Sequence, residues 1–342
     1  MKILIDARVL SHAQVTGVEN HAINIIKSLQ EKINITIAKP KYHNRYYTHF
    51  WEHFILPLRA LKYDILFSPS NIAPIFLPKR IKLIVTLHDL AFKDFPHLTS
   101  SLFRRYYSFV VPKVIKRADK VLTISNFSQK RIIKEYPFLI DKIATIYHGK
   151  NEIFYHDKGV KRDSYLLYVG SLNDIKNFSS VIKAFEILDN AKYRLKMVMP
   201  IGANFIIDSD KEELLERAKE HPRIEIVDYL EQKSLVTLYQ QAKLFVFPSY
   251  HESFGFPVLE AMACGTPVVC SREGALSEVG GDAVLYCDPY SVEDICDKIE
   301  QVLDDQRVQE QMIAKGLERA KGFSWEKSAK EHIRVFKEVL KS

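Results

Sequence analysis

The 342-residue sequence is poor in cysteine, and the four cysteines that it has all lie in its last third. No two of them form a C-x-x-C pair, so neither the spacing of a zinc site nor the cysteine density of a disulfide framework is present. We interpret these residues as buried thiols. They are Cys264, Cys270, Cys287 and Cys296.

Long apolar segments and several cofactor motifs are also missing. No apolar run approaches the roughly 18–20 residues of a membrane-spanning helix. Met1 leads directly into the strand-like segment KILIDARVL rather than into a signal peptide, so we expect a cytoplasmic protein. No G-x-G-x-x-G follows this strand, which argues against a nicotinamide or flavin enzyme. No Walker lysine motif is present, and no D-x-D pair stands in a setting that would suggest a metal-chelated diphosphate.

The composition is that of a packed protein, but its charge is unevenly distributed. With 47% hydrophobic and 27% charged residues, large-scale disorder is excluded, and the length leaves room for about two domains. Residues 1–157 carry a net charge of +12 and residues 158–342 carry −5, and the segment Leu102–Lys134 holds nine basic residues and one acid. This asymmetry predicts two domains with different partners. Anionic lipid, lipid diphosphate or nucleic acid would suit the basic one.

Short apolar strands alternate with helical patterns along the whole chain. In the first half they are KILIDARVL, ITIA, DILFSPS, KLIVTLHD and KVLTIS. After a charged stretch at His156–Ser164 the pattern restarts with SYLLYVGS, YRLKMVMP, RIEIVDYL, AKLFVFPS and TPVVCS. Continuous apolar strands are typical of parallel sheets covered by helices on both faces. We therefore predict an α/β protein of two doubly wound domains, with ligands bound in a cleft at the carboxyl ends of the strands.

The most informative string is HESFGFPVLEAMACGTPVVCS, in which seven residues separate Glu252 from Glu260. Its composition predicts a turn followed by a helix that begins near Pro257. The N–H groups at such a start can bind a phosphate or a sugar hydroxyl, and Gly255 permits a ligand to approach the backbone closely. Glu260, about one turn into the helix, can accept two hydrogen bonds from a ribose diol. The alternative is an ordinary loop and helix with two solvated glutamates.

These strings together resemble the family 4 retaining glycosyltransferases, which have the two-domain GT-B fold. The resemblance covers nearly the whole chain. It includes MKILIDARVL with Gly17, TLHDL, RADKVLTISNFSQKRI, IYHG, YVGSLNDIKNFSSVIKAF, LYQQAKLFVFPSYHESFGFPVLEAMACGTPVV and GALSEVGGDAVLYCDP. It implies an acceptor-binding domain over residues 1–157 and a nucleotide-sugar-binding domain over residues 158–322. The segment 323–342 would form a crossover helix that packs back onto the first domain.

The resemblance also implies roles for individual residues. Lys176 would offset the charge of the donor diphosphate, Glu252 would bind the hydroxyls of the donor sugar, and Glu260 would hold the ribose. His88 and Asp89 would lie near the sugar and the acceptor, and Gly17 would let the diphosphate approach the first domain. The implied catalytic residues are Glu252, His88, Asp89 and Lys176. The implied donor-binding residues are Gly17, Ser171, Lys176, Leu230, Glu252, Ser253, Phe254, Gly255 and Glu260.

The sequence departs from the family pattern at the phosphate loop. Ile175 and Ser171 stand where related sequences often have an arginine. The phosphate clamp therefore rests on Lys176 alone, or another basic residue such as Arg8 takes the place of the arginine. Base specificity is expected from backbone contacts near Tyr229 and Leu230.

The implied reaction moves a hexose from a nucleotide-diphospho-sugar to a glycan or lipid-linked glycan in cell-surface polysaccharide synthesis. Mannose or rhamnose is favoured, with GDP-mannose ahead of dTDP-rhamnose or a UDP-hexose as the donor. We expect retention of the anomeric configuration, no cofactor and no metal. Two alternatives stay open, which are a nucleotide-sugar epimerase of the same fold and a non-catalytic sugar-nucleotide-binding subunit.

Two basic, aromatic segments of the first half bear on the acceptor. They are YHNRYYTHFWEHFILPLRALK and RRYYSFVVPKVIKRADK. A helix of this composition can lie on an anionic membrane surface, which favours a lipid-linked acceptor and a peripheral position at the inner face of the cytoplasmic membrane. No nucleic-acid-binding motif accompanies them, so we expect no nucleic-acid partner.

Overall fold

The structure is a computed structural model that describes residues 1–11, 17–42, 44–188, 190–199, 208–228 and 230–341. The chain divides into two units. Unit 1 comprises Met1–Gly149 and Ser324–Ser342, and unit 2 comprises Lys150–Phe323. Among the described residues, no helix combines the length and the apolar content that crossing a bilayer requires.

Unit 1 contains a parallel sheet that has six strands among the described residues, in the order β2-β1-β3-β4-β5-β6. The strands are β1 (Ile3–Asp6), β2 (Thr36–Ala38), β3 (Ile65–Ser68), β4 (Lys82–Thr86), β5 (Lys120–Thr123) and β6 (Ile143–Thr145). Every residue of β1 and β3 is buried, because helices cover both faces of the sheet. The continuous apolar runs of these strands are the feature from which the sequence analysis predicted a parallel sheet covered on both faces.

The α-helices of unit 1 that come before residue 150 lie between its strands along the chain. They are α1 (Gly17–Gln30), α2 (Arg45–Phe50), α3 (Leu56–Ala60), α4 (Ala91–Asp94), α5 (Ser101–Arg117) and α6 (Asn126–Glu135). A π-helical turn, Trp51–Ile55, joins α2 to α3. The helices α5 and α6 start at serine N-caps, where Ser100 accepts a hydrogen bond from the N–H of Phe103 and Ser125 accepts one from Ser128.

Unit 2 contains a second parallel sheet, in the order β12-β11-β10-β7-β8-β9 over the residues that the structure describes. The strands are β7 (Tyr165–Val169), β8 (Arg194–Val198), β9 (Ile224–Val227), β10 (Leu244–Phe247), β11 (Val268–Ser271) and β12 (Leu285–Cys287). Because β7 pairs with β8 on one side and with β10 on the other, the direction of winding reverses between β7 and β10. In doubly wound sheets, ligands bind beside such a switch point.

The remaining helices include one that returns to unit 1. Those of unit 2 are α7 (Phe178–Ile187), α8 (Ser209–Glu220), α9 (Gln232–Gln241), α10 (Phe256–Ala263), α11 (Leu276–Gly280), α12 (Val292–Asp304) and α13 (Gln306–Lys321), and α14 (Trp325–Val339) belongs to unit 1. The N-cap of α14 is Ser324, and Phe336 buries its ring 5.3 Å from that of Phe67 in β3. The apolar face of the last helix therefore packs on the first sheet.

The unit boundary lies near residue 149, whereas the sequence analysis put it at residue 157. The residues between belong to unit 2 because they pack there. The ring of Phe154 lies 5.8 Å from that of Tyr239, and the Nδ1 atom of His156 lies 3.3 Å from the carbonyl oxygen of Cys264. Phe323 also belongs to unit 2, since its ring packs 5.9 Å from that of Phe254.

The four cysteines are buried and free, as predicted. Burial raises the pKa of the Cys264 and Cys287 thiols to about 12 and that of Cys296 to about 11. These thiols are protonated at neutral pH and serve as small apolar side chains.

Candidate functional site

The loop after β7 presents Lys176. This lysine ends a short 3₁₀ helix, Asp174–Lys176. The N-cap of that helix is Asn173, whose side-chain oxygen accepts a hydrogen bond from the N–H of Lys176 at 3.2 Å. The ammonium of Lys176 lies 2.6 Å from the Oε1 atom of Glu252. The two residues are 76 positions apart in sequence, and they meet because β7 and β10 are neighbours at the switch point.

Glu252 lies in the loop after β10, and the loop after β11 contacts its backbone. The carbonyl oxygen of Glu252 accepts a hydrogen bond from the N–H of Ala275 at 2.7 Å. Gly274, beside it, has a φ angle of +66°, and a Cβ atom there would overlap the Glu252 carbonyl. Because Gly274 has no side chain, its backbone can approach that of Glu252 closely. This contact fixes the backbone position from which the Glu252 side chain extends.

The helix α10 begins at Phe256, next to the predicted Pro257. Gly255 precedes it with a φ angle of +103°, which a residue with a side chain rarely adopts. Phe254 is buried, with its ring 5.1 Å from that of Phe256, and Ser253 is half-buried. Phe254 and Gly255 can therefore offer a ligand only backbone groups.

Glu260 lies in the second turn of α10, and its carboxyl group has a raised pKa. Its Oε2 atom accepts a hydrogen bond from the hydroxyl of Tyr239 at 3.3 Å. Desolvation raises the pKa of Glu260 to about 7, and the tyrosine hydroxyl offsets only part of this shift. Further hydroxyl donors, such as those of a ribose, would stabilise the charged form.

Ser171 and Leu230 were also predicted to bind the sugar-nucleotide donor. The hydroxyl of Ser171 accepts a hydrogen bond from the side-chain amide of Asn173 at 2.8 Å, so Ser171 helps to shape the lysine loop. Leu230 is half-buried and directly precedes Glu231, the N-cap residue of α9. Tyr229, expected beside it near the nucleotide base, lies outside the described residues.

The predicted residues of unit 1 lie at the carboxyl end of β4 and at the start of α1. The Nε2 atom of His88 lies 3.1 Å from the carbonyl oxygen of Pro69, and the backbone N–H of His88 donates to the side-chain oxygen of Asn71. Because a carbonyl only accepts, neutral His88 carries its proton on Nε2 and a lone pair on Nδ1. Asp89 accepts a hydrogen bond from the N–H of Ala91.

Gly17 and Arg8 lie in opposite surroundings, the first exposed and the second buried. Gly17 is exposed as the first residue of α1, and a Cβ atom there would meet no atom of the described residues within 4 Å. Arg8, considered as a substitute for the missing arginine, is buried, with its Nε atom 3.5 Å from the carboxylate of Glu52. Its charge is thus compensated inside unit 1.

The sequence analysis missed a cluster of four buried histidines in unit 1. The members of this histidine cluster are His21, His88, His148 and His332, each at most 3% exposed. The ring of His21 lies 4.9, 4.6 and 6.1 Å from those of His88, His148 and His332. The Nδ1 atom of His332 donates to the carbonyl oxygen of Ser328. His88, within TLHDL, and His148, within IYHG, lay in segments that the sequence analysis had quoted, but nothing there brought the four histidines together.

The histidine cluster predicts that acid destabilises unit 1. Burial lowers the pKa of His332 to about 4 and those of His21 and His148 well below their usual value. Below pH about 6.5 the unfolded chain binds protons at these histidines and the folded chain does not, so acid favours unfolding. The free energy of unfolding therefore falls as the pH decreases from about 6.5 toward 4. His332 alone contributes up to about 3 kcal/mol. The free energy of unfolding in urea, measured at pH 7 and at pH 5, is therefore expected to fall less in His332→Gln than in the unsubstituted protein.

The loss of stability on acidification must be compared between variants, because other buried groups have the opposite effect on stability. Burial raises the pKa of Asp6 to about 6 and that of Glu260 to about 7, so both favour the folded state on acidification. The exposed His97 provides the control: His97→Gln should lose as much stability between pH 7 and pH 5 as the unsubstituted protein. An equal loss in His332→Gln would show that the cluster does not control the acid response.

No group of three or more His, Cys, Asp and Glu side chains within the described ranges has an arrangement that could hold a metal ion. The polar groups that the candidate site presents can form hydrogen bonds and ion pairs. In unit 2 they are the Lys176–Glu252 pair, the backbone at Phe254 and Gly255, and the Glu260 carboxylate. Such a set is suited to bind a ligand that has both anionic groups and hydroxyls.

Two family models match the chain in succession. The model described as Glycosyltransferase Family 4 matches residues 15–151, and the one described as Glycosyl transferases group 1 matches residues 151–319. The O-antigen chain mannosyltransferase B of Escherichia coli is 31% identical over 275 residues, which are 77% of this chain and 72% of that protein. The serotype-specific mannosyltransferase WbdA of Escherichia coli is 28% identical over 280 residues, but the chain covers only 34% of its length.

Solved structures match the whole chain at low identity. Sucrose-phosphate synthase from Thermosynechococcus elongatus has a TM-score of 0.79 at 17% identity, covering 99% of this chain and 98% of its own. A structure of Anabaena HepE in complex with UDP-glucose has a TM-score of 0.76 at 17% identity, covering 99% and 100%. The fold is therefore GT-B, as predicted. Together with the family models and the Escherichia coli relative, these observations show that the chain belongs to glycosyltransferase family 4.

Proposed function

We propose that the protein transfers a hexose from a nucleotide-diphospho-sugar to a hydroxyl of a glycan or lipid-linked glycan during cell-surface polysaccharide synthesis. The Lys176–Glu252 pair carries this proposal, because it sets a cation and a carboxylate side by side at the switch point of the sheet. A sugar nucleotide needs both, the cation for its diphosphate and the carboxylate for its sugar hydroxyls.

Mannose is the favoured sugar and GDP-mannose the favoured donor. Two relatives of this chain carry the names of O-antigen and serotype-specific mannosyltransferases. The TLHDL and SPSNIAP segments also resemble mannosyl- and rhamnosyltransferases, so dTDP-rhamnose is the next candidate. A UDP-hexose follows. Glu260 would bind the ribose of any of these donors.

The pair has a direct role in the proposed chemistry. Donor binding would separate it, since the diphosphate takes the Lys176 ammonium and sugar hydroxyls donate to Glu252. As the bond to the leaving phosphate breaks, negative charge grows on the diphosphate and the fixed ammonium stabilises it. The leaving phosphate would accept the proton of the attacking hydroxyl on the same face, which retains the anomeric configuration. Positioning and electrostatics would supply most of the rate enhancement.

We propose further that no metal is needed, since Lys176 and the backbone N–H groups before α10 can compensate the diphosphate charge. One reaction mixture tests both metal independence and retention of the anomeric configuration. We expect turnover of an α-linked donor to continue at an unchanged rate in excess EDTA, and the product to show the α-anomeric coupling by NMR. A large loss of rate that added Mg²⁺ or Mn²⁺ restores, or a β-linked product, would refute the respective point.

We also propose that unit 1 binds an anionic membrane surface, which would bring it to a lipid-linked acceptor. Three apolar side chains are more than half exposed at i, i+4 spacing along α2, the π-helical turn and α3, and they are Phe50, Phe54 and Leu58. On α5, Leu102 and Phe109 are exposed, and the Lys113 ammonium lies 3.3 Å from the centroid of the Phe109 ring. Apolar stripes beside basic groups are typical of helices that lie at a bilayer surface.

Vesicle sedimentation tests the membrane proposal. We expect binding to vesicles that contain phosphatidylglycerol, weaker binding to phosphatidylcholine alone, and release in about 1 M salt, where the Debye length is about 3 Å. Phe54→Ser should weaken binding severalfold. Phe76→Ser is the matched control, because Phe76 is even more exposed, at 80% against 62% for Phe54, but lies outside these helices. No binding at low salt, or the same loss in both variants, would contradict the proposal.

A further inference from the structure

Asn177, the residue after Lys176, has an unusual backbone and an unusual environment. Its φ and ψ angles of +55° and +40° are left-handed, and it is the only non-glycine residue with positive φ among those the structure describes. It is also fully buried. Left-handed backbone at a residue with a side chain costs free energy and persists where the surroundings enforce it, often at functional sites.

The side chain of Asn177 makes contacts that its place in the chain does not predict. Asn177 is the N-cap of α7, where asparagine normally accepts a hydrogen bond from the helix, but here it makes none. Its Nδ2 atom instead donates to the carbonyl oxygens of Pro248 at 2.9 Å and Pro289 at 2.8 Å. These carbonyls belong to the loops after β10 and β12. An amide can donate two hydrogens in this way, whereas an aspartate donates none.

The two preceding residues are also held by hydrogen bonds, from the loop after β10 and from β7. The carbonyl oxygen of Ile175 accepts hydrogen bonds from the Ser249 hydroxyl at 2.9 Å and from the N–H of Tyr250 at 2.8 Å. The carbonyl oxygen of Lys176 accepts one from the Tyr168 hydroxyl at 3.1 Å. The lysine backbone is thus fastened on both sides to the loop that also carries Glu252.

We propose that Asn177 is a positioning residue for Lys176. Its two donated hydrogen bonds hold the left-handed turn that directs the ammonium toward the donor diphosphate, without contact between Asn177 and the donor. This inference rests on the proposed function, since it takes the diphosphate as the ligand of Lys176. If it is correct, loss of Asn177 has its effect through Lys176 and has little further effect once Lys176 is gone.

A double-mutant cycle tests this proposal, with the dissociation constants of GDP, UDP and dTDP measured by calorimetry and the tightest of the three taken as the readout. Asn177→Gly keeps the left-handed backbone accessible but removes both hydrogen bonds. We expect it to weaken binding about tenfold in the unsubstituted background and less than twofold in the Lys176→Ala background. A merely structural residue would cost the same in both backgrounds.

The controls separate failure of this inference from failure of the proposed function. Asn190→Gly makes the same substitution in another turn of unit 2 and should leave binding unchanged. Asn177→Asp, which also tolerates left-handed backbone, takes the place of Asn177→Gly if the latter does not fold. Equal losses in both backgrounds, or none in either, would overturn the positioning role. No loss in Lys176→Ala would overturn the proposed donor site, and with it this inference.

Discussion

Lys176→Ala and Glu252→Ala are each expected to lower kcat/KM for the donor by well over tenfold, which corresponds to about 1.4 kcal/mol or more of transition-state stabilisation. The lysine loss should appear mainly in kcat, because the ammonium acts on charge that develops as the leaving group departs. The glutamate loss should appear in kcat and KM, because the carboxylate would bind sugar hydroxyls before and during the reaction.

Stability must be measured beside the rates, since the two side chains form a 2.6 Å ion pair of which the glutamate is only 10% exposed. Removing Lys176 leaves that carboxylate unpaired and costs stability whatever the function. Lys196 and Glu225 provide a matched pair in the same unit, 3.3 Å apart, with a glutamate that is 57% exposed. Lys196→Ala and Glu225→Ala should leave kcat/KM within twofold. Near-normal rates in Lys176→Ala and Glu252→Ala alike would disprove the site assignment.

Gly274→Ala is expected to lower the free energy of unfolding of unit 2 by more than about 2 kcal/mol and to abolish most of the activity. The new Cβ atom would overlap the carbonyl oxygen of Glu252 and lie 2.7 Å from its nitrogen, and the φ angle of +66° disfavours any side chain. Both obstacles are backbone atoms, so no side-chain rotation relieves them. Relief requires movement of Glu252 itself, which would disturb its pairing with Lys176.

Gly316→Ala is the matched control for this prediction. Gly316 lies inside α13, and its added Cβ would meet Met262 at an ordinary 3.4 Å. Alanine there should be neutral or should stabilise the protein by about 0.5–1 kcal/mol, because glycine is the poorer helix former. Urea unfolding of the two variants gives the comparison. Equal stability in both would show that the close approach at Gly274 does not constrain Glu252.

The fold and the main site elements could be predicted because they depend on local patterns. Continuous apolar strands indicated parallel sheets, and the turn chemistry around Gly255 placed the start of α10 within a residue of where it lies. The family resemblance implied the roles of Lys176 and Glu252, and both residues lie on loops that follow strands of unit 2. Their direct contact could not be predicted, because it depends on the lateral order of β7 and β10.

Other features depend on contacts between distant segments and left no readable signal. The histidine cluster joins four segments, from residue 21 to residue 332, whose local sequences give no reason for a buried histidine. The bonds of Asn177 to Pro248 and Pro289 require three loops to converge, so no local pattern could predict them. The unit boundary was placed eight residues late because the charged stretch after residue 156 was taken for the linker. The packing of Phe154 is what decides that boundary.

The central claim, transfer of mannose to an acceptor, is tested most directly by the release of nucleoside diphosphate from GDP-mannose, dTDP-rhamnose and UDP-hexoses. Each donor is assayed with and without a lipid-diphosphate-linked sugar as the acceptor. We predict release from GDP-mannose that depends on the acceptor and disappears in Glu252→Ala. Conversion of a donor to another sugar nucleotide without acceptor would instead identify an epimerase. Tight donor binding with no turnover on any acceptor would identify a binding subunit, and either result would contradict the proposed transfer.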